Sequence, residues 1–207
     1  MADSLKGKRA QLFLKRISDV FAATLLLIVL SPLLLTIAVA VRLRSGSPIF
    51  YEWRVFGQGG RPFIGHKFRT MIVNADQMKS ELMDRNEMNG GPVFKLKDDP
   101  RVTGIGKILR KFSLDELPQL WSVLKGDMSI VGPRPPLVGE YAKFEEWQKR
   151  KLAVKPGMTC LWQVRGKPSN WHEWLRLDFE YIAHWSLWLD FKILWQTFIV
   201  VITGKNF

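Results

Sequence analysis

One cysteine, Cys160, and three scattered histidines, His66, His172 and His184, are all that 207 residues offer to disulfide or soft-metal chemistry. An intrachain disulfide is excluded, and a Cys/His zinc site is not expected, so any metal must use oxygen ligands. No Gly-x-x-x-x-Gly-Lys-Ser/Thr stretch occurs, and Gly57-Gln58-Gly59 lacks the context of a dinucleotide fold. The standard nucleotide cradles are therefore missing. Acidic residues are scarce, 19 against 31 Lys plus Arg, giving a formal net charge of +12. Such an excess calls for an anionic partner: nucleic acid, an anionic membrane surface or a phosphorylated substrate. Repeats and low-complexity tracts are absent, and an apolar fraction of 47% argues against extended disorder. The length fits one compact domain.

Charge is missing altogether from Val20 to Val41, where only Thr24, Ser31 and Thr36 interrupt an apolar run of 22 residues. As a straight helix this run would span about 33 Å, enough for one crossing of a hydrocarbon core. Pro32 follows Ser31 near its middle, and both flanks are basic: Lys15 and Arg16 before, Arg42 and Arg44 after. Proline removes a helical hydrogen bond and bends the helix, and serine can satisfy the freed group. Positive flanks at both ends favour keeping both on the cytoplasmic side. A re-entrant helix-break-helix dipping into one leaflet meets both conditions; a kinked single span is the rival. Ala38-Val39-Ala40 has the small-x-small form of a cleavage site, but the run is too long for a signal core and Arg42 follows at once, so retention is expected.

Beyond Arg44 the sequence reads as one domain of about 160 residues. Ile49–Val55 and Pro62–Met71, separated by Phe56-Gly57-Gln58-Gly59-Gly60, predict a strand-turn-strand. Helices are predicted at Asn74–Met88, Ile105–Lys111, Leu117–Lys125, Val138–Leu152 and Trp171–Gly204, so helix should exceed strand. The expected class is α+β, mainly helical: a membrane segment at 1–44 and a small α/β cytoplasmic domain with interfacial helices at 45–207. Six of nine Trp fall between Trp162 and Trp195 among basic residues, a combination that suits headgroup depth, with about half expected in the core instead.

Three clusters carry chemistry. In Arg110-Lys111-Phe112-Ser113-Leu114-Asp115-Glu116-Leu117-Pro118-Gln119, Ser113 and Glu116 match a capping box. One carboxylate would suffice for a cap, so adjacent Asp115 and Glu116 beside Arg110 call for a further role. Gly132-Pro133-Arg134-Pro135-Pro136 stiffens a loop that presents one guanidinium. Lys67-Phe68-Arg69 places two cations on one side of a possible strand.

These motifs, together with Lys125-Gly126-Asp127-Met128-Ser129, Lys155-Pro156-Gly157-Met158-Thr159 and the Ser31-Pro32 break, occur in one order over nearly the whole chain. In that order the chain resembles the bacterial sugar transferases, the monotopic phosphoglycosyl transferases. Trp185-Ser186-Leu187-Trp188-Leu189-Asp190 is similar to the branch that initiates exopolysaccharide and capsule synthesis. The resemblance implies transfer of a sugar phosphate from a nucleoside diphosphate sugar, UDP above all, to a polyprenyl (undecaprenyl) phosphate at the cytoplasmic face of the bacterial inner membrane. It implies Asp115 as nucleophile, Glu116 as magnesium ligand, and Lys67 or Arg69, Arg110, Arg134 and Asp178 as substrate-binding residues. Gly166-Lys167 stands where the family commonly has Gly-Arg, which keeps a charge and loses a bidentate fork.

Elementary chemistry agrees with these roles. Attack of a carboxylate on a diphosphate brings anion onto anion and needs positive charge nearby. Mg²⁺ uses one or two carboxylates plus substrate phosphates. Neighbours on an α-helix diverge by about 100°, so one acid could face phosphorus and the other metal. The remaining classes are a membrane-tethered nucleic-acid-binding protein and an adaptor for polysaccharide assembly. The first leaves the acid pair and the Arg134 loop without a role, so nucleic acid is not an expected partner; absence of nucleoside monophosphate release with any donor would favour the second. Oligomeric state stays open, a homo-oligomer included.

Overall fold

A computed structural model describes residues 7–204; the outermost parts of the 1–44 and 45–207 ranges lie outside the described residues. The first two helices form the break that the sequence predicts. Helix α1 runs Arg9–Val29 and α2 Ser31–Ser45, with Leu30 between them. No single described helix is long and apolar enough to cross a membrane, but this pair passes on length and composition together, bent by 62°. The chemistry of the bend is local. Pro32 has no N–H for the Ile28 carbonyl, and the Ser31 hydroxyl donates to that oxygen instead, at 2.8 Å. Phe21, Leu25, Ile28, Val29, Leu35 and Val39 remain exposed on this pair.

Both arms are tied to the domain that follows. On α1, Lys15 Nζ donates to Asp190 at 2.6 Å and to the Val131 carbonyl at 3.0 Å, and Arg16 donates to the Val123 and Leu124 carbonyls. Asp19, buried, accepts from the Ile130 amide. These basic residues therefore anchor the helix to protein rather than reaching for headgroups. Ile37 and Val41 of α2 join Phe68 and Leu109 in a small apolar cluster, and Ala23 of α1 enters the main core.

The predicted strand-turn-strand is an antiparallel hairpin, β1 (Phe50–Phe56) with β2 (Pro62–Phe68), in a register that pairs Trp53 with Gly65 and Tyr51 with Lys67. A second, parallel pair, β3 (Ser129–Val131) with β4 (Gly157–Thr159), was not expected from the pattern. Helix α3 (Gly104–Lys111) falls where predicted, and α4 (Leu120–Lys125) begins three residues after the predicted start at Leu117.

Three helical predictions are corrected. Asn74–Met88 holds a 3-10 helix over Gln77–Arg85 only. Val138–Leu152 breaks into α5 (Val138–Tyr141), α6 (Glu146–Lys149) and a 3-10 turn at Arg150–Ala153. The intervening turn buries Phe144, whose ring lies 5.2 Å from that of Trp171. A short helix α7 (Leu161–Val164) precedes α8 (Trp171–His184) and α9 (Leu187–Thr203), which the sequence reading had joined. Ser186 separates them: its hydroxyl accepts from the Leu189 amide and starts α9.

The core sits between α1, α4, the β3–β4 pair and α8. Four of the six late tryptophans, Trp162, Trp171, Trp174 and Trp185, are buried in it. Trp188 and Trp195 stand exposed on α9 with Phe191 and Phe198. The mixed helix and sheet content agrees with the expected α+β class.

Candidate active site

The segment that carries the acid pair does not begin as the sequence suggests. Ser113 takes a left-handed backbone, φ 51° and ψ 25°, and no hydroxyl cap forms, so the capping box is absent. Leu114–Gln119 is a 3-10 helix with Pro118 inside it, and only from Leu120 does the chain continue as α-helix. The proline cannot donate and disfavours α geometry in the residue before it. At about three residues per turn, Asp115 and Glu116 diverge by roughly 120° rather than 100°.

Asp115 points inward and is 9% exposed, at the base of a cavity of about 770 Å³ that Lys67, Thr70, Arg110, Ser113, Glu116, Arg134, Gln163 and Lys167 help to line. Burial first, and then repulsion by Glu116, push its carboxyl up to about 6, against the pull of Lys67 and Arg110. Glu116 accepts from Lys67 Nζ at 2.6 Å. Lys67 in turn lies 4.4 Å above the ring of Trp53. That ring occupies the place a side chain at position 65 would need: a Cβ on Gly65 would come within 2.3 Å of Trp53 Nε1. The hairpin register thus fixes Lys67 over its aromatic support and against the acid pair.

Arg110 reaches the cavity from α3. Thr103 caps that helix by accepting from the Gly106 amide, and Gly106 packs so closely on Thr70 that a Cβ would meet the Thr70 carbonyl at 2.0 Å. Through this approach Arg110 Nε donates to the Thr70 hydroxyl at 3.0 Å, facing Asp115. Arg134 lines the cavity as its proline-stiffened loop implied, but its fork is engaged. Glu140 accepts from both terminal nitrogens, at 2.8 and 3.1 Å, and also from the Leu137 amide. Burial raises the Glu140 carboxyl, and Arg134 more than reverses this, leaving it below the ordinary carboxylate range.

Two of the residues named from the resemblance are placed differently. The Arg69 guanidinium turns to the carbonyls of Ser45 and Ser47 at the foot of α2, locking the helix exit to β2. Of the pair Lys67 and Arg69, it is Lys67 that meets the acids. Asp178 is 1% exposed and does not line the cavity; it pairs with buried Lys151 at 2.5 Å, and its charge reaches Arg134 from beneath. Positions the sequence reading passed over as site residues are Thr70, Gln163 and Lys167. The Gly166-Lys167 departure was the available signal: Lys167 holds a left-handed backbone, φ 49°, and burial lowers its ammonium while Glu116 opposes the change. Cys160 is buried and its thiol is pushed well up, so it is inert.

Among the described residues no group of three or more His, Cys, Asp or Glu side chains converges as a metal site. The donors at hand are the adjacent carboxylates Asp115 and Glu116, the latter with one oxygen on Lys67. That set suits a hard cation arriving with substrate phosphate and does not suit a resident all-protein cage.

The family profile described as Bacterial sugar transferase matches residues 10–204. The chain belongs to the bacterial sugar transferase family. This sugar transferase is 46% identical over 201 residues to the galactosyl transferase CpsE of Streptococcus agalactiae, covering 96% of this chain and 44% of that protein. It is 41% identical over 200 residues to the undecaprenyl-phosphate galactose phosphotransferase of Salmonella typhimurium, covering 95% and 42%. With the exopolysaccharide production protein ExoY of Sinorhizobium fredii it shares 41% identity over 196 residues, 93% of this chain and 87% of that one. The chain thus spans less than half the length of the first two relatives and most of the third.

Proposed function

We propose that this sugar transferase moves a sugar 1-phosphate from a nucleoside diphosphate sugar to a polyprenyl phosphate, the first membrane step in assembling an exopolysaccharide or capsule. The observation that carries the reading is a buried carboxylate, Asp115, beside Lys67 and Arg110 in a cavity of about 770 Å³ that Arg134 and Lys167 also line. The relatives' names point to UDP-glucose or UDP-galactose as donor and undecaprenyl phosphate as acceptor.

Asp115 attacks the phosphorus that bears the sugar, and the bond from that phosphorus to the bridging oxygen breaks, releasing the nucleoside monophosphate. A phosphate oxygen of the acceptor then attacks the same phosphorus. The aspartyl oxygen leaves, giving polyprenyl diphosphate sugar and free Asp115. Lys67 and Arg110 offset the charge that accumulates when carboxylate meets diphosphate. Arg134, its fork held from behind by Glu140, and Lys167 hold the nucleotide phosphates. Glu116 is the residue to hold a substrate-borne Mg²⁺, which would neutralise the diphosphate when bound.

The bent α1–α2 pair is read as a re-entrant hairpin at the cytoplasmic face of the membrane. Anchoring of both arms to one domain supports this, as does the exposed apolar surface of the pair. The test of function incubates the protein with UDP-glucose or UDP-galactose and undecaprenyl phosphate and measures UMP. Release that disappears in Asp115→Asn, with a phosphosugar trapped on the unmodified protein, is expected. Full turnover in Asp115→Asn would refute the covalent route.

A further inference from the structure

The cavity is larger than the acid pair and its cations require. From Asp115 it continues past Thr70 along a second flank formed by Pro48, Phe50, Tyr51, Met71, Ile72 and Val73. This flank differs in chemistry from the inner end. The cations Lys67, Arg110, Arg134 and Lys167 line the cavity around the acid pair, whereas the segments that supply the apolar flank add the acids Glu52 and Asp76, and Arg69 turns its guanidinium away to the Ser45 and Ser47 carbonyls. Such a wall repels phosphate and accepts hydrocarbon. Its side chains are open: Phe50 is 44% exposed, Ile72 42% and Val73 68%. Their backbone is nevertheless fixed, since Met71 bridges to Val102 and the Ile72 amide donates to the Arg101 carbonyl at 3.0 Å. An apolar surface this exposed on a pinned segment marks a contact surface.

The flank also lies at the right place in the chain. Helix α2 ends at Ser45, and after four intervening residues β1 begins with Phe50. Leu43 in the last turn of α2 is 79% exposed, so an unburied apolar surface runs down the exit of the hairpin toward the cavity mouth. Resting on the transferase reading above, we propose that this flank seats the first isoprene units of the lipid acceptor. Phe50, Ile72 and Val73 recognise the tail, and the phosphate is delivered to Asp115 between Lys67 and Arg110. The nucleotide then occupies the opposite side, against Arg134 and Lys167, so donor and acceptor approach the acid pair from two sides.

Two arms test this. In the first, Ile72→Ser with Val73→Ser is compared with the unmodified protein and with the conservative Ile72→Val. The expected result is a rise of about tenfold or more in KM for undecaprenyl phosphate. Single-turnover UMP release from the donor should be unchanged, and the preference for undecaprenyl over neryl phosphate should be lost, while Ile72→Val keeps it. A rise in donor KM instead, or an unaltered dependence on tail length, overturns the assignment. In the second arm, a benzophenone-bearing farnesyl phosphate is photolysed with the catalytically silent Asp115→Asn protein. Label on the peptides carrying Phe50 and Ile72–Val73 is expected; label elsewhere, or none, refutes the proposal. Failure of the transferase reading would show separately, as absence of UMP release from either donor by the unmodified protein.

Discussion

Replacing Asp115 by asparagine should silence transfer and at the same time stabilise the protein above pH 6. The carboxyl rises from an ordinary 3.8 to about 6, chiefly through burial and then through Glu116, with the attraction of Lys67 and Arg110 already counted. Two pH units at about 1.4 kcal/mol each make the ionised side chain a burden of about 3 kcal/mol on the folded state. The sign follows from linkage. Between pH 3.8 and about 6 the folded protein keeps a proton that the unfolded chain has released, so stability falls as pH rises through that window. Above it the deficit is complete; below it the deficit vanishes. Asparagine imitates the protonated acid at every pH.

Near pH 8 the variant should therefore melt about 6 to 12 °C above the unmodified protein, given the usual conversion for a chain of this size. Near pH 4, just inside the lower edge of the window, the difference should shrink to about 1 to 2 °C. Thermal unfolding in detergent, followed by tryptophan fluorescence at both values, measures the difference. Equal melting temperatures near pH 8, or a gain that persists unchanged near pH 4, would refute the claim that Asp115 is held ionised against its surroundings.

Lys151→Met leaves Asp178 as an unpaired carboxylate at 1% exposure and is expected to destabilise by about 3 to 5 kcal/mol; the double variant Lys151→Met with Asp178→Leu should recover most of this in the same melting assay. Cysteines placed at Gly7 and Arg44 should both react with an impermeant maleimide from the cytoplasmic side of sealed membranes, since buried Cys160 supplies no background. Reaction of the two from opposite sides would replace the hairpin with a span.

What the sequence made legible follows from how local each signal is. The Ser31-Pro32 break needs only the missing amide of Pro32 and a neighbouring hydroxyl, and the hydrogen bond to Ile28 is where that reasoning put it. The β1–β2 hairpin likewise follows from two short runs and a glycine turn. The 3-10 form of Leu114–Gln119 escaped because the Ser113-x-x-Glu116 pattern is compatible with a cap, whereas Ser113 takes a left-handed backbone that the pattern does not encode. The parallel pairing of three-residue strands β3 and β4 has too few residues to leave a periodic trace. At the site, Asp115, Glu116, Lys67, Arg110 and Arg134 come together, yet nothing in the sequence says that Arg69 spends its guanidinium on two carbonyls or that Asp178 is sealed by Lys151, 27 positions away. Those are long-range ion and dipole pairings, which sequence spacing does not encode.

The anchoring of the hairpin bears directly on the chemistry. One arm is tied through Lys15 and Asp19 to Val131 and Ile130, the strand that leads into the Arg134 loop. The other is tied through Arg69 to the end of β2, two residues from Lys67, while Val41 packs on the intervening Phe68. Each arm therefore grips the element that presents a cavity cation. Whatever depth the apolar pair adopts in lipid, Lys67 and Arg134 must adopt a fixed height above it, because packed elements of this kind shift as units. On the proposed reading, in which the second substrate is confined to the bilayer, drift between these parts is costly, since a displacement of about 1 Å at the reacting atoms is enough to lower the rate by two orders of magnitude. Of the basic residues at the hairpin's foot that the sequence marks as cytoplasmic, Lys15 and Arg16 thus serve first as joints that set this height.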